Sequence, residues 1–320
     1  MHPHLPPVDL GYDIHLIDLY DLNLPGRTGC YVIPDKAVTL IETGPGPSAP
    51  YLLEGLKRLN ISTSDVQYII VTHIHLDHAG GAGMLMRECP NAKLVVHPKG
   101  ARHMADPSRL IAGAKAVYGE NFEALFNPVL PVPEDRIMIK TEGDTLNIGK
   151  RTLTFYDTPG HANHHFSIYD PLSKGIFCGD TVGIHYHLLA DQGFIMYLPS
   201  TSPNQFDPDV MLASIARFRK MDLGRIYFGH FGASEEVEDA FRQVEYWIPR
   251  FVKEGEKSLA ESSNPGNIAK RLYDRIQRFL SEQNVPDTHP VYEQLKMDFS
   301  VCAMGIADYL NKKMKRATNL

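Results

Sequence analysis

Apolar positions in the first two-thirds of the chain fall into short runs that alternate with stretches of helical spacing. "GCYVIP" (29–34) and "AVTLIETG" (37–44) are β-rich and separated by Asp35-Lys36, which predicts a hairpin. "SAPYLLEGLKRLN" (48–60) has its apolar residues three and four apart and predicts a helix, and "VQYIIVTHIH" (66–75) then predicts a fully buried strand. Helix follows in "AGGAGMLMREC" and strand in "AKLVVHP". The stretch from Pro107 to Phe126 is helical in pattern and breaks the strand rhythm, so it is expected to cover another part of the molecule. "RIMIK", "LTFYDT", "HFSIYD" and "GIFCGD" are further strands, with turn signals such as "DPLSKG" between them. Asp207 and Pro208 form a helix start, an N-cap followed by proline at the first helical position.

After "RIYFGHFG" (225–232) the pattern changes. From Ser234 to the end almost every stretch has helical periodicity, including "SEEVEDAFRQVEYWIPRFVKEG", "NIAKRLYDRIQRFL" and "HPVYEQLKMDFSVCAMGIADYLNKKMK". We therefore expect an α/β domain over residues 1–233 and a helical C-terminal extension over 234–320, with no internal repeat. The basic end suits a solvated helix terminus, where cations complement the dipole.

Composition narrows the class. Of the 320 residues, 43% are hydrophobic and 22% charged, enough to build a core in a soluble globular protein. The net charge of −6 gives no basic surface for nucleic acid. Cys30, Cys89, Cys178 and Cys302 are widely spaced with no CxxC pair, which argues against a disulfide framework and for reduced thiols. The N-terminus lacks the basic and apolar regions of a signal peptide, and no apolar run reaches membrane-spanning length. A cytoplasmic protein with a small-molecule substrate is expected, without nucleic-acid or membrane partners.

Histidine is the outlier, with 15 in the chain. "THIHLDH" (72–78) places His73, His75, Asp77 and His78 just past an apolar strand. Residues two apart in extended chain point the same way, so His73 and His75 share a side, while Asp77 and His78 fall in the turn beyond. Three later segments repeat the arrangement: "LTFYDTPGH" ends in His161, "GIFCGD" in Asp180 and "RIYFGH" in His230. In sheets covered by helices, binding sites gather at strand ends. Imidazoles and carboxylates together are the donors that zinc and other first-row divalent ions accept.

"HIHLDH", followed by lone His, Asp and His residues in that order, resembles the metallo-β-lactamase superfamily. The likeness runs over roughly residues 13–232. It implies a four-layer αβ/βα sandwich of two mixed β-sheets flanked by helices. It also implies that His73, His75 and His161 hold one metal, that Asp77, His78 and His230 hold a second, and that Asp180 bridges them. Seven donors exceed what one zinc takes from protein, so two ions sharing a bridge is the economical reading. Such a pair, zinc by preference with iron or manganese as alternatives, activates a hydroxide for hydrolysis without a Ser or Cys nucleophile. The chain departs from the family at Glu42, where "IETG" stands in place of the common "DTG"; that carboxylate is expected behind a ligand rather than on the metal.

Other residues near the motifs are further candidates. His2 and His4 read as surface residues, and His164 or His165 as shaping the pocket. Tyr186 and His187, just past Asp180, correspond to a region that in some relatives hydrogen-bonds substrate, and are candidate catalytic residues beside Asp77 and Asp180. Met84, Met86 and the aromatic-rich 186–198 stretch could line an acyl pocket, with core packing as the alternative. By resemblance the activity is hydrolysis of a small ester, lactone or thioester. The alternatives are a phosphodiesterase, or a mononuclear iron dioxygenase acting on a thiol or persulfide. The helical extension resembles that of glyoxalase II and offers a surface for a homodimer, although the family's GCGR run is missing after Asp180.

Overall fold

The structure is a computed structural model that describes residues 5–261 and 264–318. His2 and His4 lie outside the described residues. The chain forms two compact units, the first made of Met1–Thr158, His164–Gly179 and Asp222–Glu235.

The first unit contains two mixed sheets. One is seven-stranded, in chain order: β1 (Val8–Asp9), β2 (His15–Asp18), β3 (Gly29–Ile33), β4 (Val38–Ile41), β5 (Val66–Ile70), β6 (Lys93–Val96) and β7 (Ile137–Ile139). The pairs from β1 to β4 are antiparallel, and those from β4 to β7 are parallel. Parallel neighbours require crossovers, supplied by α1 (Ala49–Arg58) between β4 and β5, and by α2 (Leu76–Ala79) and α3 (Ala82–Glu88) between β5 and β6. The other sheet contains β8 (Thr145–Asn147), β9 (Thr152–Asp157), β10 (Phe166–Asp170), β11 (Gly175–Gly179), β14 (Arg225–Phe228) and β15 (Ala233–Ser234). Its strands are antiparallel except for β11 and β14, which pair in parallel.

Alternation along the strands fixes which face is buried against what. In β3, Tyr31 and Ile33 enter a core shared with Phe155, Phe166, Ile168, Phe177 and Tyr227 of the second sheet. Cys30 and Val32 point the other way, into a core built with α1 and α3. Ile70 and Val95 join the inter-sheet core, while Ile69, Leu94 and Val96 join the helix-facing one. Both faces are therefore apolar, which is why Ile69–Val71 and Leu94–Val96 are continuous apolar runs.

After α4 (Pro98–Ala105), the Pro107–Phe126 region forms α5 (Ser108–Tyr118) and α6 (Phe122–Phe126). Phe122 and Phe126 pack on Leu76, so this region covers the turn that carries the histidine motif.

The second unit consists of Pro159–Asn163, Asp180–Met221 and Glu236–Leu320. It holds the ribbon β12 (Ile184–Tyr186) with β13 (Met196–Leu198), then α7 (Pro208–Phe218), α8 (Val237–Glu261), α9 (Pro265–Glu282) and α10 (Val291–Thr318). Asp207 caps α7 through bonds from the Asp209 and Val210 amides. The expected boundary near residue 234 lies beside the Glu235/Glu236 junction, but the unit also draws in 180–221. The physical reason is packing: the Thr201 hydroxyl donates to the Cys302 carbonyl at 3.0 Å, and the Gly305 backbone lies against that of Thr201. The two mixed sheets with their helices, and the helical C-terminal region, are the architecture expected from the sequence. No described helix is long and apolar enough to cross a membrane. The four cysteines are buried and form no disulfide.

Candidate metal centre

β5 ends at Ile70, short of the strand expected over 66–75; Val71 still donates to the Val95 carbonyl, and the chain bends at Thr72 and His73 before His75 leads into α2. The reversal brings the rings together: the His73 centroid lies 4.6 Å from that of His75 and 4.1 Å from that of His78. His230 arrives from the turn between β14 and β15, with its ring 5.2 Å from His78. That turn is anchored from the core, because the Tyr31 hydroxyl lies 2.6 Å from both the Phe228 and Gly232 carbonyls. The donor atoms of Asp77, His78 and His230 all fall within 4.8 Å of one another.

Behind the rings stands Glu42, 2% exposed, at a backbone φ of 71° that non-glycine residues seldom adopt. Its Oε1 accepts a short bond from the Thr72 hydroxyl and lies 3.5 Å from His78 Nδ1. The Thr72 oxygen is 3.0 Å from His73 Nδ1. With the Thr72 proton directed at the carboxylate, its oxygen accepts from His73 Nδ1–H, which assigns the protonated nitrogen and turns Nε2 towards the cluster.

His161 and Asp180 belong to the second unit. His161 Nδ1 donates to the Ser200 carbonyl at 3.0 Å, and its Nε2 lies 3.6 Å from Asp180 Oδ2. The Ser200 hydroxyl donates to the same oxygen at 2.8 Å. Chain connectivity ties these donors to the first unit. Asp180 directly follows Gly179 of β11, and His161 lies in the five-residue excursion Pro159–Asn163 between two stretches of that unit. Gly179 has φ 49°, and a Cβ there would collide with His165 Nε2 and Thr72 Oγ1, so the approach to Asp180 needs glycine.

The residues fit divalent ions. Nitrogen and oxygen donors at the usual bond lengths of a tetrahedral zinc lie about 3.4 Å apart. Asp77 Oδ2 is 3.6 Å from His78 Nε2 and 3.7 Å from His230 Nε2, and the His161–Asp180 pair has the same spacing. All are borderline or hard donors and nearly all are buried, with His75 and Asp77 at the more accessible edge.

Other candidates have different surroundings. His164 Nδ1 accepts from the Ile74 amide at 3.4 Å, 5.4 Å from His75 ring to ring. His165 is fully buried, stacks 5.1 Å from His73 and bonds Thr158. Tyr186 is fully buried and donates to Asp298 at 2.8 Å, within the second unit. Burial lowers the pKa of His187, opposed by a backbone bond to His185. Met86 is in the helix-facing core with Met84 packed on it, the core-packing alternative for these methionines.

Three residues near the centre carried no sequence signal. Thr72 and Ser200 are single hydroxyls in no motif. Asp21 is the buried residue of a 3₁₀ turn, Asp21–Asn23, in which Leu22 and Asn23, like Tyr20 before it, are left-handed, and it accepts from Arg27 Nε at 3.0 Å. Burial pushes its carboxyl up to about 6; the Asp77 charge adds to the rise, while Arg27, His230 and His78 oppose it.

Comparison with known proteins shows the family. An uncharacterized protein of Methanocaldococcus jannaschii is 31% identical over 265 residues, 80% of this chain and 61% of its own length. A hydroxyacylglutathione hydrolase of Legionella pneumophila is 27% identical over 46% of this chain and 45% of its own. This chain thus spans less than two thirds of either relative. The crystal structure of an archaeal metallo-beta-lactamase superfamily protein from Sulfolobus tokodaii has the same fold, with a TM-score of 0.62 at 20% identity, covering 92% of this chain and 97% of that one. The model of the metallo-beta-lactamase superfamily matches residues 24–230, a span that includes every donor from His73 to His230, and the chain belongs to that superfamily.

Proposed function

We propose that the protein is a hydrolase that uses two divalent metal ions, zinc by preference, to cleave a small ester, lactone or thioester. The observation that carries this reading is the repeated donor spacing: 3.6 and 3.7 Å around Asp77, and 3.6 Å between His161 and Asp180. His73, His75 and His161 would hold one ion, Asp77, His78 and His230 the other, and Asp180 would serve both. Bound there, the ions supply Lewis acidity and an activated water at neutral pH.

The chain's own groups do the rest. The Ser200 carbonyl holds His161 in the tautomer that presents Nε2, and the Ser200 hydroxyl keeps one Asp180 oxygen fixed. Thr72 and Glu42 orient His73 in the same sense, and the Glu42 charge lies behind His78. Asp77, with a side chain 23% exposed, is the carboxylate at the accessible edge and can take the proton that attack by water releases. In that reaction the oxygen of water bonds to the acyl carbon, the acyl C–O or C–S bond breaks, and the leaving group departs protonated. The acyl class is supported by the name of the Legionella relative, a hydroxyacylglutathione hydrolase.

The test is Asp180→Asn, read by metal content and by turnover on a panel of lactones and thioesters. The variant should bind one ion in place of two and lose more than the roughly 100-fold that changes behind the ligands cost. Full turnover in the variant, or a single iron with oxygen-dependent turnover in the parent, would overturn the reading.

A further inference from the structure

The helical unit carries a second feature, unrelated to the metal donors. Helices α8 and α9 border two cavities whose linings share a stripe on each helix. Along α8 the lining positions are Asp239, Arg242, Tyr246, Arg250, Lys253 and Lys257, three or four residues apart. Along α9 they are Arg275 and Phe279, four apart, with Gln283 just past the helix end. Residues at these spacings lie on one helix face, so the cavities follow one another along a single groove.

Their chemistry differs sharply. The first cavity, 520 Å³, has aromatic walls of Phe194, Tyr246 and Phe279, with the buried Tyr197 and Trp247 behind them, and is also lined by Glu236, Asp239, Arg242 and Gln243, the last two of which both bond Asp239. The second, 350 Å³, is lined by Arg250, Lys253, Lys257, Arg275 and Pro249. Glu254 neutralises part of that charge, with Oε1 at 3.1 Å from Lys257 Nζ and 2.9 Å from Arg275 Nη1. Arg250 and Lys253 remain as cationic excess beside that pairing. The two sections meet through cation–π contacts: Arg250 lies 3.3 Å over the Tyr246 ring and Arg275 5.9 Å over Trp247.

We propose that this groove binds a nucleoside di- or triphosphate, with its base between the aromatic walls and its phosphates on the cations. Aromatic faces stack on a planar base. Guanidinium and ammonium groups meet phosphate oxygens through charge-assisted bonds. From Trp247 to Lys253 is about 9 Å along the helix axis, the reach of a ribose and diphosphate. Neither a fatty chain nor a free phosphate would use both sections.

Trp247 is the chain's single tryptophan and reports on the groove directly. Its fluorescence in the full-length protein is titrated with ADP, adenosine and pyrophosphate, with calorimetry alongside to separate binding from light absorption by adenine. ADP should give saturable binding at least about tenfold tighter than either fragment, the size expected for one stacked base. Lys253→Glu, an exposed position, should weaken ADP about tenfold and leave adenosine unchanged. Tyr246→Ala, also exposed, should weaken ADP and adenosine together and spare pyrophosphate. Circular dichroism melting establishes that each variant is folded. No saturable binding of ADP at millimolar concentration, equal affinity for ADP and pyrophosphate, or parental ADP affinity in folded Lys253→Glu would each overturn the proposal.

Discussion

In the first unit, His73 and His78 are backed by a buried carboxylate, Glu42, reached in one case through the Thr72 hydroxyl. In the second, His161 is backed by the Ser200 backbone carbonyl, and only the support of Asp180 uses a side chain. The same task, fixing which ring nitrogen would face an ion, falls to charge in one unit and to main chain in the other. A carboxylate raises ligand basicity but must itself be buried and supported, whereas a carbonyl costs little to bury and cannot be removed by substitution. The donors near Glu42 should therefore be the more sensitive to mutation.

Glu42→Gln tests this most severely. Gln keeps the length and the bond to Thr72 but removes the charge. Metal affinity measured by chelator competition should fall about 10–100-fold. An unchanged affinity would mean that Glu42 supports the turn rather than the ions.

The first unit also buries Asp21 near its donors, and this gives the fold a pH dependence. The folded carboxyl stands at about 6 against an ordinary 3.8, so the folded state holds the proton more tightly than the unfolded state does. That contribution is complete below about pH 4 and disappears as pH rises through about 6. Metal-stripped protein should thus lose stability over that interval, on the order of 2 kcal/mol, and Asp21→Asn should flatten the profile. Denaturant melts at pH 4, 5, 6 and 7 give the slope; a parental slope in the variant would assign it to another group.

Ser200→Ala is the mildest case. It removes the hydroxyl bond to Asp180 but leaves the carbonyl on His161, so metal affinity should fall by about tenfold at most. A loss as large as that of Glu42→Gln would erase the contrast between the units.

How far the sequence reaches can be seen residue by residue. The β-rich run "GCYVIP" predicts a strand, and the structure shows which way its side chains go, Tyr31 and Ile33 to one core and Cys30 and Val32 to the other, because side-chain direction repeats every two residues. Asp207-Pro208 marks a helix start because capping is a local affair between a side chain and the next amides. "HIHLDH" and the later His161, Asp180 and His230 are legible for a similar reason: donors that must converge at strand ends leave a mark at the end of each strand. Ser200 and Thr72 leave none, since any serine or threonine supplies the same hydroxyl and their use depends on neighbours distant in the chain. The bond from Tyr186 to Asp298 spans 112 positions, so no pattern around "GIHYH" could announce it.

By itself, then, the sequence determined the element types and set His or Asp residues just past four apolar runs, consequences of short-range periodicity and of chemistry carried by single residues; the two mixed sheets were expected only from the family resemblance. Only the tertiary structure decided that residues 180–221 pack with the C-terminal helices, that Asp21 is buried near Asp77 and His230, and that α8 and α9 align an aromatic cavity with a cationic one. Those features depend on side chains far apart in the chain being desolvated together, and desolvation is a property of the packed molecule rather than of any segment.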